Sequence, residues 1–320
     1  MFDSLVTGSA GFVGSHLVEA LLERGDRVLG VDSFDPYYSS AQKRRNLRRS
    51  LHNHRYRFVR GRIQGVNVAR YVSKGAVIYH LAAQPGVRGS WGTKFDRYVQ
   101  NNVLATQALL ESAVRSGVRP KVVYASSSSI YGDQPTGPMP EEANPNPVSP
   151  YGMTKLAAEH LGRLYARAYG LPFVSTRLFT VYGPRQRPDM AFHRFFRAVR
   201  SGRPIEVFGD GRQLRDFTYV GDIVDGIVRA GASDSKHTVF NLGGNSPVPL
   251  TDAISYIREV TGRPVKITRR APQTGDPRAT WADNRRARSE LKFRPRTPLL
   301  EGLRRQWAWQ SGEAGGDLVG

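Results

Sequence analysis

The 320-residue chain contains no cysteine. Disulfides, thiolate metal ligands and a cysteine nucleophile are therefore excluded, and no metal site is expected. Long apolar runs are also missing. No stretch approaches the roughly 18 residues that a membrane-crossing helix needs. The first apolar segment, Leu5 to Val13, is short, glycine-rich and preceded by no basic run, unlike a signal peptide. These absences lead us to expect a soluble, cytoplasmic protein. Acidic residues are scarce, with 27 Asp and Glu against 47 Lys and Arg, for a net charge of +20. Such a field attracts phosphates. The arginines are scattered and not interleaved with aromatics, so a solvated arginine-rich surface is expected rather than a nucleic-acid partner. The positive field suits a small anionic substrate.

The content that remains is that of a globular protein, 39% hydrophobic and 23% charged. Residues 3–8 read as a short buried strand running into a glycine loop. Val13, Leu17, Val18, Leu21 and Leu22 have helical spacing over 13–24, and Gly25 fits the helix C-cap. Arg27 to Val31 is a second strand, closed by Asp32, which completes a βαβ unit. Strands are predicted at Val77 to Ala82, Lys121 to Ala125 and Phe173 to Leu178. Helices are predicted at Tyr98 to Ser116 and Tyr151 to Tyr169, and a short surface helix fits the basic run Lys43 to Arg49. This alternation predicts an α/β fold with a doubly wound parallel sheet.

After Tyr182 the strands are short (Ile205 to Phe208, Val265 to Thr268) and Pro, Gly and Arg are frequent. A helix over 222–231 and a strand at Thr238 to Leu242 are still expected. The expected organisation is a dinucleotide-binding Rossmann domain of residues 1–180 and 217–243. A smaller α/β substrate domain would comprise 181–216 and 244–310, and 311–320 would form a loose tail.

The loop Gly8-Ser-Ala-Gly11-Phe-Val-Gly14 follows a strand and opens a helix. Missing Cβ atoms there allow a tight turn and let backbone amides approach a pyrophosphate, aided by the helix dipole. Alone, the motif also fits a plain βα turn. Asp32 ends the next strand, where a carboxylate accepts hydrogen bonds from ribose hydroxyls and repels a 2′-phosphate, so NAD is expected over NADP. Tyr151 and Lys155 lie four apart on one helix face. A nearby ammonium favours the phenolate, which can act as a general base. The pair alone could be a surface contact. The serine run Ser126 to Ser129 lies just past a strand's carboxyl end, the ligand-binding edge of a doubly wound sheet.

In this order and spacing, the motifs resemble the extended short-chain dehydrogenases that act on nucleotide sugars. The matching segments are the glycine loop, Leu81-Ala-Ala-Gln84, Asn102-Val, Ser-Ser-Ser-Ile-Tyr131-Gly, Tyr151-Gly-Met-Thr-Lys155 and Arg215-Asp-Phe-Thr. Within that family the chain is most similar to UDP-glucuronate 4-epimerases, through Leu81-Ala-Ala-Gln-Pro-Gly-Val-Arg88, Phe179-Thr-Val-Tyr-Gly-Pro184, Arg187-Pro-Asp-Met-Ala191 and Gln273-Thr-Gly-Asp276.

The resemblance implies bound NAD, a UDP-sugar substrate and a homodimer built from the 98–116 and 151–169 helices. It implies catalysis by Tyr151, Lys155 and Ser127. It further implies cofactor contacts from Gly8, Gly11, Phe12, Val13, Gly14, Asp32, Ser33, Ile63, Leu81, Ala82, Ala83 and Asn102, with Tyr151 and Lys155. Substrate contacts would come from Arg88, Ser127, Ser128, Ser129, Tyr151, Thr180, Arg187, Met190, Val207, Phe208, Gln213, Arg215 and Asp276. UDP-glucuronate decarboxylases carry Glu at the place of Ser129, and 4,6-dehydratases carry Asp-Glu at the places of Ser128 and Ser129, so epimerisation is the implied chemistry. Decarboxylation, neutral-hexose epimerisation and a non-catalytic NAD-binding role stand as alternatives. One departure is Arg62, where the family normally has an Asp against adenine.

Overall fold

The computed structural model describes residues 1–133, 137–272, 275 and 277–312. In chain order the strands are β1 (Phe2–Thr7), β2 (Val28–Asp32), β3 (Tyr56–Arg60), β4 (Val72–His80), β5 (Lys121–Ser127), β6 (Phe173–Leu178), β7 (Thr180–Tyr182), β8 (Ile205–Phe208), β9 (Leu214–Tyr219), β10 (Val239–Leu242), β11 (Pro247–Pro249), β12 (Ile267–Arg270) and β13 (Ala279–Thr280). Seven of them form one sheet in the order β10-β6-β5-β4-β1-β2-β3. Every pairing in it is parallel. The doubly wound α/β Rossmann architecture expected from the sequence is therefore present. The strand order reverses between β1 and β4, which opens a crevice at their carboxyl ends.

Parallel strands are covered on both faces, so successive side chains feed two cores. Along β1, Leu5 joins a core with Leu109, Leu110, Ala158 and Tyr165 from the helices Ala105–Arg115 and Pro150–Tyr169. Val6 joins the opposite core with Leu17, Leu21, Ile223 and Ile227 from the helices Phe12–Glu23 and Val220–Ala232. The helix-spaced leucines of the glycine-loop segment thus face inward.

The remaining strands make smaller sheets around a third core rich in aromatics, including Tyr182, Phe192, Phe196, Phe217 and Trp307. The helices Ala191–Arg200, Leu250–Thr261 and Leu299–Ser311 build this region and were not expected from the sequence. β9 runs unbroken across the expected domain boundary between 216 and 217, because its first half pairs with β13 and its second half with β7.

Two elements differ from expectation in ways that matter to the site. The 98–116 helix is broken into Phe95–Tyr98, a π-helical turn Val99–Leu104, and Ala105–Arg115. β4 stops at His80 rather than Ala82, because the Leu81 and Ala82 N–H groups donate to Thr7 Oγ1, each at 3.1 Å. Among the described residues, no helix is long and apolar enough to cross a membrane.

Candidate functional site

A cavity of about 450 Å³ lies over the crevice at the carboxyl ends of β1, β2, β4 and β5. Its first wall is the glycine loop. Gly8 has φ +70°, and a Cβ there would stand 2.9 Å from the Ala82 nitrogen. A Cβ on Gly14 would stand 2.1 Å from the Gly8 carbonyl oxygen. No side chain caps the helix that starts at Phe12, so its leading N–H groups are left for a ligand. Phe12 and Val13 complete this wall.

Asp32 sits at the tip of β2, buried, and accepts from the Ala10 N–H at 3.2 Å and the Phe34 N–H at 2.8 Å. Ser33, Ile63, Leu81, Ala82 and Ala83 line the cavity beside it, as does Arg62. This close backbone, open helix terminus and buried strand-end carboxylate fit a dinucleotide.

Two cavity residues at this end escaped the sequence reading. Lys43 is buried, with Nζ 3.8 Å from Asp32 Oδ1 and donating to the Asp35 carbonyl at 3.0 Å. Tyr38 packs beneath it, the ammonium 4.9 Å above its ring. The helix Ser40–Leu51 buries Gln42, Lys43, Asn46, Leu47 and Ser50, so its inward face is mostly polar and shows no apolar stripe.

Asn102 is buried and does not line the cavity. The π-turn aims its side chain at the loop after β4. Oδ1 accepts from Gln84 N–H at 2.6 Å, while Nδ2 donates to Gln84 O at 3.1 Å and Thr154 Oγ1 at 2.9 Å. Its neighbour Asn101 lines the cavity instead. Asn102 is also tied to the cavity floor. Burial pushes the His80 imidazole down to about 3, so it is neutral. Thr106 donates its hydroxyl proton to Asn102 O, at 2.6 Å, and therefore accepts from His80 Nε2–H, at 3.0 Å. His80 Nδ1 then accepts from the Thr7 hydroxyl at 2.7 Å.

The end that holds Ser127, Tyr151 and Lys155 is built by β5 and the helix Pro150–Tyr169. Ser149 caps that helix through Gly152 N–H at 3.1 Å, and Pro150 fits its first turn. A Cβ on Gly152 would lie 2.4 Å from the Ser129 carbonyl, so the helix start presses on the serine loop. That approach sets Ser127 beside Tyr151, and both line the cavity. Burial raises the Tyr151 pKa above its ordinary value, and Ser127 and the Arg187 charge pull it partly back.

Lys155 is buried and donates to the Ala125 carbonyl at 2.6 Å. Burial pulls its pKa down to about 7, against an upward pull from Glu159. The phenol's pKa is thus not lowered overall, because burial outweighs the pull of Ser127 and Arg187. Ser128, Ser129, Thr180, Arg187 and Met190 also line the cavity.

The residues expected at the nucleotide end form a separate group that does not line this cavity. The Arg88 guanidinium stacks 4.3 Å from the Phe208 ring. Val207 is buried, and the Phe208 carbonyl accepts from Gln213 Nε2 at 3.1 Å. Arg215 Nη1 donates to the Leu214 carbonyl at 2.8 Å. Its neighbour Asp216 is fully buried among the N–H groups of Gly244, Asn245 and Ala282. Asp276 and Gln273 lie outside the described residues, as do residues 313–320 of the expected tail.

The family model described as the NAD dependent epimerase/dehydratase family matches residues 4–243. The chain belongs to this family, and the family is NAD-dependent. A Bacillus subtilis (strain 168) protein described as an uncharacterized UDP-glucose epimerase, YtcB, is 40% identical over 96% of this chain and 97% of its own length. A UDP-glucuronate 4-epimerase of Thermodesulfobacterium geofontis (strain OPF15) is 38% identical over 95% of each chain. Among solved structures, the UDP-glucuronic acid 4-epimerase from Bacillus cereus in complex with UDP-glucuronic acid and NAD superposes with a TM-score of 0.92. It is 39% identical over 97% of this chain and 99% of that one.

Family membership and the placement of Asp32 predict cofactor preference. NAD is expected to bind more tightly than NADP, and Asp32→Ala to narrow the difference, as read by fluorescence titration of both cofactors. Tighter NADP binding by the unaltered protein would reject this role for Asp32.

Proposed function

We propose that this protein epimerises UDP-glucuronate at C4, giving UDP-galacturonate, with NAD as its resident cofactor. The observation that carries this reading is the joining of Ser127, Tyr151 and Lys155 in one cavity with neutral hydroxyl residues, Ser128, Ser129 and Thr180, beside them. NAD, when bound, supplies a reversible hydride acceptor and a positive charge near the phenol. Tyr151 takes the proton of the sugar 4-hydroxyl and later returns it, while Ser127, beside it in the cavity, hydrogen-bonds the same oxygen. Lys155 orients the ribose of the cofactor from its anchor on β5.

A 4-ketouronate loses CO2 easily, so the enzyme must hold the carboxylate out of line with the carbonyl. Ser128, Ser129 and Thr180 supply hydroxyls for that hold, and Arg187 favours the anionic sugar. Among the described residues, the carboxylates lining the cavity are Asp32 and Asp35, both at the β2 end. The serine end therefore offers no lining carboxylate to deprotonate C5, which disfavours dehydratase chemistry; decarboxylation breaks C5–C6 without such a base and is opposed only by the carboxylate hold.

In this reading the seven-stranded sheet binds NAD and the smaller sheets bind the nucleotide sugar. Arg88, Val207, Phe208, Gln213, Arg215 and Asp276 serve the UDP end, and Asn102 positions the Gln84 loop. The protein acts in the cytoplasm. Epimerisation of a neutral UDP-hexose is the second reading, favoured by the B. subtilis relative. Incubation with UDP-glucuronate and NAD is expected to yield UDP-galacturonate without CO2. CO2 as the main product, or faster turnover of UDP-glucose than of the uronate, would overturn the proposal.

A homodimer is part of the same reading. Leu104, Met153 and Leu164 are exposed on the paired helical face, an apolar surface a second copy would cover. Sedimentation is expected to show a species of about twice the 35.6 kDa chain; a monomer at all concentrations would reject it.

A further inference from the structure

Three loops meet over the sugar end of the cavity, from the carboxyl ends of β2, β4 and β7. Their polar contacts centre on Arg187. Its Nε and Nη2 groups bind Asp189 side-on, at 3.0 Å each. Its third nitrogen, Nη1, makes no hydrogen bond among the described residues, and Arg187 lines the cavity. Asp189 is held from the other side by the Tyr37 hydroxyl, which donates to Oδ2 at 3.2 Å.

Tyr37 is itself locked. A Cβ on Gly86 would lie 2.8 Å from its hydroxyl oxygen, so the glycine admits the phenol against the β4 loop. The Gly86 carbonyl in turn accepts from Tyr98 OH at 2.8 Å, and the Tyr98 ring meets the Tyr151 ring edge-on at 6.3 Å.

A free arginine samples many rotamers, whereas a side-on carboxylate fixes the guanidinium plane and selects which nitrogen faces outward. We propose that Asp189 and Tyr37 are positioning residues: they clamp Arg187 so that Nη1 is presented to an anionic group on the sugar, and this clamp sets the preference for a uronate over a neutral hexose. The inference rests on the epimerase reading above for the location of the sugar. The Asp189 charge also balances Arg187, so the guanidinium is not a bare buried cation when no sugar is bound.

The test measures the dissociation constants of UDP-glucuronate and UDP-glucose on the NAD-loaded protein by calorimetry. The quantity read is their ratio. Asp189→Ala is expected to reduce the preference for UDP-glucuronate about tenfold, and Tyr37→Phe by a smaller factor. Asp189→Glu, which keeps the carboxylate, should restore part of it. Arg187→Ala should abolish the preference, and the double variant Arg187→Ala with Asp189→Ala should be no worse, since Asp189 acts only through Arg187.

An unchanged ratio in Asp189→Ala, or additive losses in the double variant, would overturn the clamp. The turnover assay separates this outcome from failure of the epimerase reading. If UDP-glucuronate binds preferentially but is not converted, the clamp stands and the reaction assigned above fails.

Discussion

Tyr151→Phe is expected to lower turnover of the UDP-sugar on the order of a thousandfold while leaving NAD affinity unchanged. General acid–base catalysis by a positioned side chain typically contributes about 10²- to 10⁴-fold, and Tyr151 lines the cavity together with Ser127 and Lys155. Phenylalanine keeps the ring that meets Tyr98 edge-on at 6.3 Å. The helix N-terminus is held by Ser149 and by the close approach of Gly152, neither of which the substitution touches. Stopped assays at saturating substrate, with NAD binding measured in parallel, make the check. A variant that retains a tenth or more of the turnover would remove Tyr151 from the chemistry.

The second large effect is on stability. Glu159 and Arg177 form an ion pair buried between the catalytic helix and β6, with Nη2 to Oε1 at 2.6 Å and Nε to Oε2 at 3.2 Å. Arg177 also donates to Tyr131 OH at 2.7 Å and the Glu141 carbonyl at 2.9 Å, and Ser175 donates to Glu159 at 2.9 Å. Removing one partner of such a pair leaves an uncompensated buried charge, at a cost of about 3–5 kcal/mol. Glu159→Ala is therefore expected to lose that much in urea unfolding, against less for a joint replacement of both residues by apolar ones.

Acid has a related effect. Burial pushes the Glu159 carboxyl up, but its bonds to Arg177 carry it below the ordinary value. Its stabilisation is thus complete above about 4.5, the ordinary value, and fades as the pH falls through the lower folded value. Glu159 also holds the proton on Lys155. In Glu159→Gln the Lys155 pKa should fall further, moving the alkaline limb of the activity profile toward lower pH. A stable Glu159→Ala variant with an unshifted profile would show that the pair is incidental.

Much of this molecule was legible in one dimension, where the physics is local. Gly8, Gly11 and Gly14 mark a turn only glycine permits. Apolar residues three and four apart place helices on a sheet, and four residues between Tyr151 and Lys155 put both on one helix face. Asp32 followed from strand alternation and length. Those features therefore determined the Rossmann fold and placed the glycine loop, Asp32, Tyr151 and Lys155 along one cavity.

The long-range arrangement was decided by the strand order, which chooses the loops that share the rim of the sheet. Tyr37 and Asp189 are 152 positions apart and meet only because the loops after β2 and β7 converge there. Lys43 turns inward on a helix whose buried face is polar, and Asn102 turns away from the cavity because a π-turn rotates it toward Gln84. Lys155 ends on the Ala125 carbonyl, a contact set by how the helix packs on β5. Spacing along a chain encodes faces of a single element, whereas contacts between loops depend on how several elements pack, and that information exists only in the folded protein.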